Sequence, residues 1–386
     1  MRRTAYILTA LLLLIVPSGE LICCTSAIFS GKVTASGRPE IWKNRDSGYL
    51  QNRVDYQAAG GDIKYSFLYL SNSKGGEKEA WSGVNSAGFS IMNTVSYNIR
   101  AEGDTTPDSQ MDREGILMFR ALGCCTCLED FEKLLDNIGA PKGLETNFGV
   151  IDAFGGAAYY EVNNYSWVKY DVNDPKVAPD GYLIRSNYSF SGAEGKGQGY
   201  VRYDSAQKII SERLAAGAKI DPVWIMDKLS RSYYQSRIGY SPLEAGKEFF
   251  LDRDFIPRRS TCAVTVVQGV NPGQDPMQCV FWCALGYPPT SQIVPLMMAA
   301  GEYVPADMTA KNQYLNSEAC NRSLKRKAAI FSSKKSGDYH YIDLNLIRSE
   351  IEKSRSSEAK MLSKWKDVDK SDAGQLREFY ENIEIR

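Results

Sequence analysis

The chain has 386 residues, of which 43% are apolar and 24% are charged, values typical of a globular protein that buries a large core in one large or two modest domains. Lysine plus arginine equals aspartate plus glutamate, at 46 residues each, so no overall charge favours a nucleic-acid partner, and we expect none. This composition excludes a disordered or fibrous protein.

Residues 1–18 have the form of an export signal. Arg2 and Arg3 provide a positive start, and the apolar run over 5–16 is shorter than a membrane span requires. Small residues up to Ser18 suit cleavage after that position. We therefore predict an exported protein, periplasmic or extracellular, with no stable membrane span.

Cleavage at that position leaves a short segment, residues 19–23, ahead of Cys24. We predict that residues 1–23 together form a signal peptide and a short propeptide. The alternative is attachment of lipid to Cys23 or Cys24, but such signals require a small residue immediately before the cysteine, where this chain has Ile22 or Cys23.

After Cys24, turn residues alternate with short apolar runs, a pattern that predicts antiparallel hairpins, and several regions between them have helical spacing. The predicted strands are 27–34, 40–43, 63–70, 89–95, 147–153, 157–163, 182–186, 260–270 and 278–285. The predicted helices are 112–122, 128–138, 202–215 and 222–231, and the segment 83–88 is predicted to be a turn. Hairpins combined with helix pairs predict a layered α+β domain over 24–343.

The remainder of the chain, residues 344–386, is charged and helical in period. We predict a helical C-terminal extension. It would either cap the domain or mediate contacts between copies of the chain, and in the second case the protein would be a homo-oligomer.

Nine cysteines in an exported chain suggest disulfides, but the odd number leaves at least one cysteine unpaired or used in chemistry. Cys124, Cys125 and Cys127 cluster at the predicted start of a helix, with a spacing that fits no zinc site, and we interpret them as buried small residues or as half of a distant pair. Three further cysteines lie in apolar, strand-like runs and are predicted to be core: Cys262, Cys279 and Cys283. We expect no metal site and no cofactor, because no ligand spacing or nucleotide-binding fingerprint is present.

The chain has a single histidine, His340. A zinc site built from several histidines is therefore excluded, and a Ser–His or Cys–His hydrolase would depend on His340 itself, in a tyrosine-flanked segment. We interpret His340 as a surface or packing residue. A cysteine nucleophile then needs another base, and an N-terminal α-amine is suitable, because its reference pKa of ~7.7–8.0 lies near that of a thiol at ~8.5.

Several segments with polar residues at fixed places follow one another along the chain. They are Cys24-Thr25-Ser26-Ala27, Trp42-Lys43-Asn44-Arg45-Asp46, residues 83–94, Asn147-Phe148-Gly149-Val150-Ile151-Asp152, Arg185-Ser186-Asn187-Tyr188, Gly199-Tyr200-Val201-Arg202-Tyr203, Ser260-Thr261-Cys262-Ala263-Val264 and Leu285-Gly286-Tyr287-Pro288-Pro289. In this order, within residues 24–310, they resemble the Cys-type N-terminal-nucleophile hydrolases. That superfamily includes choloylglycine hydrolases, acid ceramidase-like amidases and the isopenicillin-N acyltransferase branch. The resemblance implies a four-layer αββα sandwich of the α+β class.

The resemblance also implies that Cys24 is the nucleophile. It would attack the amide carbonyl and form a thioester, while its own α-amine, freed by removal of residues 1–23, acts as base. Asp46 would accept a hydrogen bond from that amine, which would hold the amine in place and adjust its pKa. Taken alone, Asp46 would also suit a turn, and Cys24 would suit a core position or a disulfide.

Other residues of the implied site lie further along the chain. Asn93 and Asn187 would be donors near the nucleophile, Asn93 in the oxyanion hole, and Arg202 would support the charge network. Where the family usually has an arginine this chain has Lys43, which keeps the charge but not the planar guanidinium. Arg45 lies two residues on, on the same face of an extended strand, so either residue would fill that role. Taken alone, the asparagines would suit strand ends and Arg202 the start of a helix.

We therefore hypothesise an exported amidase that hydrolyses a linear amide bond in a small molecule or short peptide. Transfer of the acyl group to an amine instead of water is the alternative within the same chemistry, and exclusion of water from the site would favour it. A non-catalytic exported binding protein on the same fold is the alternative outside it. We expect the loops 47–62, 96–111 and 188–199 to shape the substrate pocket.

Overall fold

The computed structural model describes residues 24–312 and 314–386, so the predicted export segment, residues 1–23, lies outside the described residues. The strands are β1 (Thr25–Phe29), β2 (Glu40–Asp46), β3 (Asn52–Gln57), β4 (Phe67–Asn72), β5 (Ser82–Asn85), β6 (Ser90–Val95), β7 (Thr146–Ile151), β8 (Ala157–Val162), β9 (Trp167–Asp171), β10 (Tyr182–Arg185), β11 (Phe249–Leu251), β12 (Thr261–Gln268), β13 (Val280–Leu285), β14 (Val294–Met297), β15 (Phe331–Ser336) and β16 (Tyr339–Asp343). The helices are α1 (Glu114–Cys124), α2 (Leu128–Asn137), α3 (Tyr200–Ala215), α4 (Pro222–Trp224), α5 (Glu318–Ile330), α6 (Leu344–Asp367) and α7 (Ala373–Asn382). Helix α4 continues as a π-helical turn over Ile225–Ser230.

Two large antiparallel sheets form the centre of the molecule. One has six strands in the order β10-β1-β2-β12-β13-β14, and the other has seven strands, β3 to β9, each beside its neighbour in sequence. Strands β1 and β2 are consecutive in the chain and pair with each other, whereas β2 and β12 pair across more than half of the chain, with Thr261 opposite Asp46. A small third sheet has the order β11-β16-β15.

Side-chain alternation along the strands shows how the layers are stacked, because neighbouring residues of a strand point to opposite faces. In β8, Tyr159 points between the sheets, where its hydroxyl lies 2.8 Å from Ser26 Oγ of β1. The next residue, Tyr160, points outward and packs edge-on against Phe131 of α2, with ring centroids 5.2 Å apart. Helices α1 and α2 therefore cover the outer face of the seven-stranded sheet.

The six-stranded sheet is covered in the same way on its own outer face. Trp42 of β2 points outward and donates from Nε1 to Ser230 Oγ in the π-helical turn, at 2.8 Å. Its neighbour Lys43 points inward to Asn93 of the other sheet. With α3 and the π-helical turn on this side, the order of layers is helix, sheet, sheet, helix, which confirms the predicted four-layer α+β class.

The C-terminal residues are packed onto the same outer layer. The Trp365 ring of α6 lies 6.3 Å from that of Trp282 in β13, and 5.1 Å from that of Phe379 in α7. The Tyr380 hydroxyl accepts a hydrogen bond from the Met297 amide of β14, at 2.9 Å. Helices α6 and α7 thus cover the edge of the six-stranded sheet formed by β13 and β14.

Most predicted elements occur within a few residues of their expected bounds, and two predictions were wrong. The segment 83–88 is not only a turn, because Ser82–Asn85 forms β5 and pairs with both β4 and β6. The predicted loop 47–62 contains β3. The cysteine cluster lies at the junction of two helices, because Cys124 ends α1 and Cys127 is the N-cap residue of α2, so the expected place at the start of a helix holds for Cys127. Each error concerns a short element whose type is set by its neighbours in space, which propensity does not encode.

No helix within residues 24–312 and 314–386 is long and apolar enough to cross a membrane.

Candidate active site

Cys24 lies at the start of β1, where the hairpin with β2 places it beside the end of the neighbouring strand. The register pairs Thr25 with Asn44, so Cys24 lies level with the last residues of β2. Its Sγ is 3.4 Å from the Asp46 backbone nitrogen, which donates to it, and 3.5 Å from the Asp46 carbonyl oxygen. The Cys24 side chain is buried, and burial raises the pKa of its thiol, with the positive charge of Lys43 opposing the shift and Asp46 adding to it.

Arg202, near the start of α3, holds the same end of β1. Its Nη1 donates to the Cys24 carbonyl oxygen at 2.6 Å and to Thr25 Oγ1 at 2.7 Å, and its Nη2 donates to Asn187 Oδ1 at 2.8 Å. Gly199 precedes α3 with a positive φ of 79°, and a Cβ there would lie 2.9 Å from Arg202 Cζ. Glycine is therefore needed at this position both for the left-handed backbone and for the guanidinium beside it.

Asn187 follows β10 and connects three parts of the site. While its Oδ1 accepts from Arg202, its Nδ2 donates to the Val95 carbonyl oxygen at the end of β6, at 2.9 Å. The side chain is fully buried. Asn187 thus joins the six-stranded sheet, the seven-stranded sheet and α3 at one point.

The carboxylate of Asp46 is buried and only partly satisfied. Its Oδ1 accepts from Thr261 Oγ1 at 2.6 Å, and its Oδ2 lies 3.9 Å from Arg258 Nε. Burial raises the pKa of Asp46 to about 6, with the charges of Arg258 and Arg202 opposing the shift. Within the described part of the chain, Oδ2 accepts no hydrogen bond, which leaves one acceptor beside Cys24 for a further donor.

Lys43 and Asn93 form a second group on the inner face of the two sheets. Lys43 Nζ donates to Asn93 Oδ1 at 2.7 Å and to the Trp81 carbonyl oxygen at 2.9 Å. Asn93 Nδ2 in turn donates to Thr146 Oγ1 at 3.2 Å. Burial lowers the pKa of Lys43 to about 8, and the nearby Cys24 opposes this shift.

Arg45 lies on the same face of β2 as Lys43, as strand alternation predicts. Both cations lie over the Trp81 ring, with Arg45 Cζ 4.8 Å and Lys43 Nζ 5.8 Å from its centroid. Their hydrogen bonds differ, because Arg45 donates to Asn52 and Asn72, at 2.6 and 2.9 Å, and not to Asn93. The geometry therefore associates Lys43 with Asn93 and Arg45 with β3 and β4.

The residues that the sequence singled out are thus brought together in two linked groups. Cys24, Asp46, Arg202 and Asn187 form one, and Lys43 with Asn93 forms the other. Three participants were missed: Trp81, Arg258 and Thr261. Thr261 belongs to one of the segments that carry the family resemblance. Its hydrogen bond to Asp46 depends on the pairing of β2 with β12, which joins residues 215 positions apart and leaves no local signal in the sequence.

The remaining chemically distinctive residues lie elsewhere. Each of the eight cysteines between residue 24 and the C-terminus is a free thiol, and Cys262, Cys279 and Cys283 are buried as predicted. His340 lies in β16, where its Nδ1 is 2.7 Å from the Ser332 carbonyl oxygen. Within residues 24–312 and 314–386, no group of three or more histidine, cysteine or carboxylate side chains is placed to hold a metal ion.

No protein-family model matches the chain, and no curated protein matches it. Among solved structures, an N-acylethanolamine-hydrolyzing acid amidase ortholog from Caenorhabditis elegans is 14% identical over 63% of this chain and 92% of its own, with a TM-score of 0.43. A conjugated bile acid hydrolase from Clostridium perfringens is 13% identical over 76% of this chain and 95% of its own, with a TM-score of 0.43. Penicillin V acylase from Agrobacterium tumefaciens is 12% identical over 75% of this chain and 89% of its own, with a TM-score of 0.41. These scores are too low to carry an inference about function, which therefore rests on this chain's own residues.

Proposed function

We propose that this protein is an exported amidase that hydrolyses a linear carbon–nitrogen amide bond through a thioester on Cys24. Removal of the residues before Cys24 would free its α-amine, which serves as the base. The observation that carries the proposal is the position of the Cys24 thiol. It lies against the end of β2, near Arg202 and Asn187. Beside it is the buried Asp46 carboxylate, one oxygen of which accepts no hydrogen bond from residues 24–312 and 314–386.

The site requires a base, because the thiol is buried and its raised pKa keeps it protonated near neutral pH. An α-amine has a reference pKa of ~7.7–8.0 and is well matched to take that proton. The open acceptor on Asp46 Oδ2 is suited to hold such an amine by a charge-assisted hydrogen bond. The single histidine lies in the small third sheet, in contact with Ser332, and takes no part in this proposal.

The proposed reaction has two steps. In the first, the α-amine takes the proton of the Cys24 thiol, sulfur bonds to the amide carbonyl carbon, and the resulting ammonium protonates the leaving nitrogen as the carbon–nitrogen bond breaks. In the second, the amine takes a proton from water, whose oxygen bonds to the thioester carbon. The carbon–sulfur bond then breaks, and the thiol recovers its proton.

Asn93 is proposed as the oxyanion donor of this reaction. Its Oδ1 is fixed by Lys43, so the amide orientation is set and its Nδ2 is the donor side. Lys43 would also add a positive charge near the developing oxyanion, in a buried environment where charges act strongly. We propose that Lys43, and not Arg45, takes the place of the arginine usual in the family.

The substrate is proposed to be an amide of a small molecule or a short peptide. Two of the loops expected to shape the pocket contact each other, because Asn98 Nδ2 donates to the carbonyl oxygens of Ser189 and Ala193, both at 3.0 Å.

Acyl transfer to an amine would use the same thioester with a different acceptor. A non-catalytic binding protein would retain the fold without reacting at Cys24.

Replacement of Cys24 tests the proposal. With a panel of fluorogenic N-acyl amides, we expect Cys24→Ala to lose activity by at least ~10³-fold, because no other group forms the thioester. Cys127→Ala is the matched control, since Cys127 is a free thiol beside the outer helices, and it should retain wild-type activity. Mass spectrometry of acid-quenched enzyme should show the acyl group on the Cys24 peptide. Wild-type activity in Cys24→Ala would overturn the proposal.

A further inference from the structure

Lys327 of α5 is a buried cation that reaches toward the site from a part of the chain outside the segments of the family resemblance. Its side chain is only 5% exposed. Its Nζ donates to the Thr261 carbonyl oxygen at 3.0 Å and also to the carbonyl oxygen of Arg259. The ammonium lies over the Tyr287 ring, 5.3 Å from the centroid. A buried lysine held by two carbonyl groups of one short turn fixes that turn in place.

The turn held by Lys327 is the one that faces Asp46. It spans residues 258–261 and is closed by the Thr261 amide, which donates to the Arg258 carbonyl oxygen at 2.8 Å. The Arg258 amide donates to Thr261 Oγ1 at 2.9 Å, so the hydroxyl proton of Thr261 is directed to Asp46 Oδ1, 2.6 Å away. On its far side, the Arg259 amide donates to Asp252 Oδ2 at 2.8 Å.

We propose that Lys327 is a positioning residue for Asp46. It clamps the turn 258–261, which presents the Thr261 hydroxyl and the Arg258 guanidinium to the carboxylate, and it adds a positive charge of its own. This inference rests on the proposed function, in which Asp46 holds the α-amine of Cys24. The later part of the chain thus contributes to the reaction and does not only cover the sheet.

The charges around the two groups determine the direction of the effect. Asp46 faces Arg258, Arg202 and Lys327, which favour its carboxylate form, and the Cys24 thiol lies beside it. Lys327 itself faces the Asp252 and Asp46 carboxylates, the Cys262 thiol and the Arg259 guanidinium. Burial lowers the pKa of Lys327 to about 8, so the side chain is charged at neutral pH. Loss of that charge would therefore raise the pKa of Asp46.

The test is a pH profile of three variants. We compare Lys327→Met, Lys327→Gln and, as matched control, Lys325→Met, which changes an exposed lysine of the same helix. The readouts are kcat/KM on a fluorogenic N-acyl amide and the rate of Cys24 alkylation by iodoacetamide, each between pH 4.5 and 8.

We expect the Asp46 acid limb of both Lys327 variants to move up by roughly half a pH unit. This is less than the ~1–3 units of a single nearby opposite charge, because Arg258 and Arg202 still face Asp46. We expect kcat to fall by ~10- to 100-fold with little change in KM, because Asp46 is displaced by a fraction of an ångström. The Lys325 control should match the wild type in both readouts. Thermal denaturation of each variant establishes that it is folded, and Lys327→Gln keeps two donors for the turn if the methionine variant does not fold.

An acid limb of the folded Lys327 variants that coincides with that of the Lys325 control would overturn the inference, even with reduced activity. This outcome is distinct from failure of the proposed function. In that case Cys24→Ala would retain activity, whatever the Lys327 variants do.

Discussion

At the scale of single residues, the site depends on the ionisation of Asp46. The carboxylate is buried among Thr261, Arg258 and the Cys24 thiol, and it has one oxygen without a hydrogen-bond donor in the described part of the chain. In the proposed reaction that oxygen holds the α-amine of Cys24. The carboxylate form is then required, and protonation of Asp46 would release the amine.

We predict that activity falls as the pH decreases through the pKa of Asp46, which burial raises to about 6. The carboxylate dominates above this pH and the neutral acid below it, so the loss occurs on the acid side. A positive charge on the Cys24 α-amine would lower the pKa of Asp46, so we expect this limb no higher than about pH 6. It lies below the separate limb, near pH ~7.7–8.0, at which the amine itself loses its proton and becomes the base. The measurement is kcat/KM between pH 4.5 and 8.

The variant Asp46→Asn sharpens this prediction. This variant should lack the acid limb of Asp46. Its kcat should fall by at least ~100-fold, within the range for removal of a group that orients a catalytic base. Glu352→Gln, at an exposed position of α6, should keep both the limb and the rate. An unchanged acid limb in Asp46→Asn would assign that titration to another group.

The identities of the candidate site residues were easier to predict from the sequence than the contacts that these residues make. Cys24, Asp46, Asn93, Asn187 and Arg202 were chosen because of their types and order, and they lie around two linked points of one site. Their catalytic roles stay predictions. Which cation faces Asn93 was not predictable, because Lys43 and Arg45 share a face of β2 and differ only in what the other sheet presents to them.

At the scale of elements, α6 is fixed to the rest of the fold by a buried ion pair. Arg231, at the end of the π-helical turn, donates to both carboxylate oxygens of Glu358 in α6, at 2.7 and 2.9 Å. It also donates to the carbonyl oxygens of Pro288 and Ser291. Glu358 accepts from the Ile293 amide as well, at 2.9 Å. The pair therefore links three segments without exposure to solvent.

We predict that Arg231→Met destabilises the protein by about 3–5 kcal/mol, because it leaves the Glu358 carboxylate buried without its partner. The measurement is the free energy of unfolding in urea. Arg355→Met is the matched control. Arg355 lies in α6, like Glu358, and pairs with Asp227 at a half-exposed position, so its replacement should change the free energy of unfolding by only about 0–1 kcal/mol. Equal effects of the two variants would show that the buried pair has no special role in anchoring α6.

Elements with a strong local sequence pattern were predicted, whereas strands that are recognisable only by the strands with which they pair were not. The hairpin of β12 and β13 has long apolar strands around a turn rich in glycine and proline, and it was found within a few residues. Strands β3 and β5 are short, and polar residues interrupt them, so they are recognisable only through the strands beside them. The order of strands in the six-stranded sheet was also not encoded locally, because β12 inserts beside β2.

At the scale of the whole molecule, the two sheets and their helices form a frame with the site at one end of β1 and β2. The class of this frame was predictable from the alternation of hairpins and helix pairs together with the family resemblance. The charged sequences of α6 and α7 left open whether they cap the domain or contact another copy of the chain, so their contribution to the outer layer was not predictable. In the structure they bury aromatic residues such as Trp365 and Phe379 against the sheet and against each other.

The most direct test of the central claim is the intact mass of the exported protein, measured beside that of Cys24→Ala. The account predicts a wild-type chain that begins at Cys24, since only then is the α-amine free to act as base. If removal of the preceding residues is self-catalysed, Cys24→Ala will retain part of residues 1–23. A wild-type chain that begins at Gly19, or that carries lipid on Cys23, would leave Cys24 without its base and contradict the proposed mechanism.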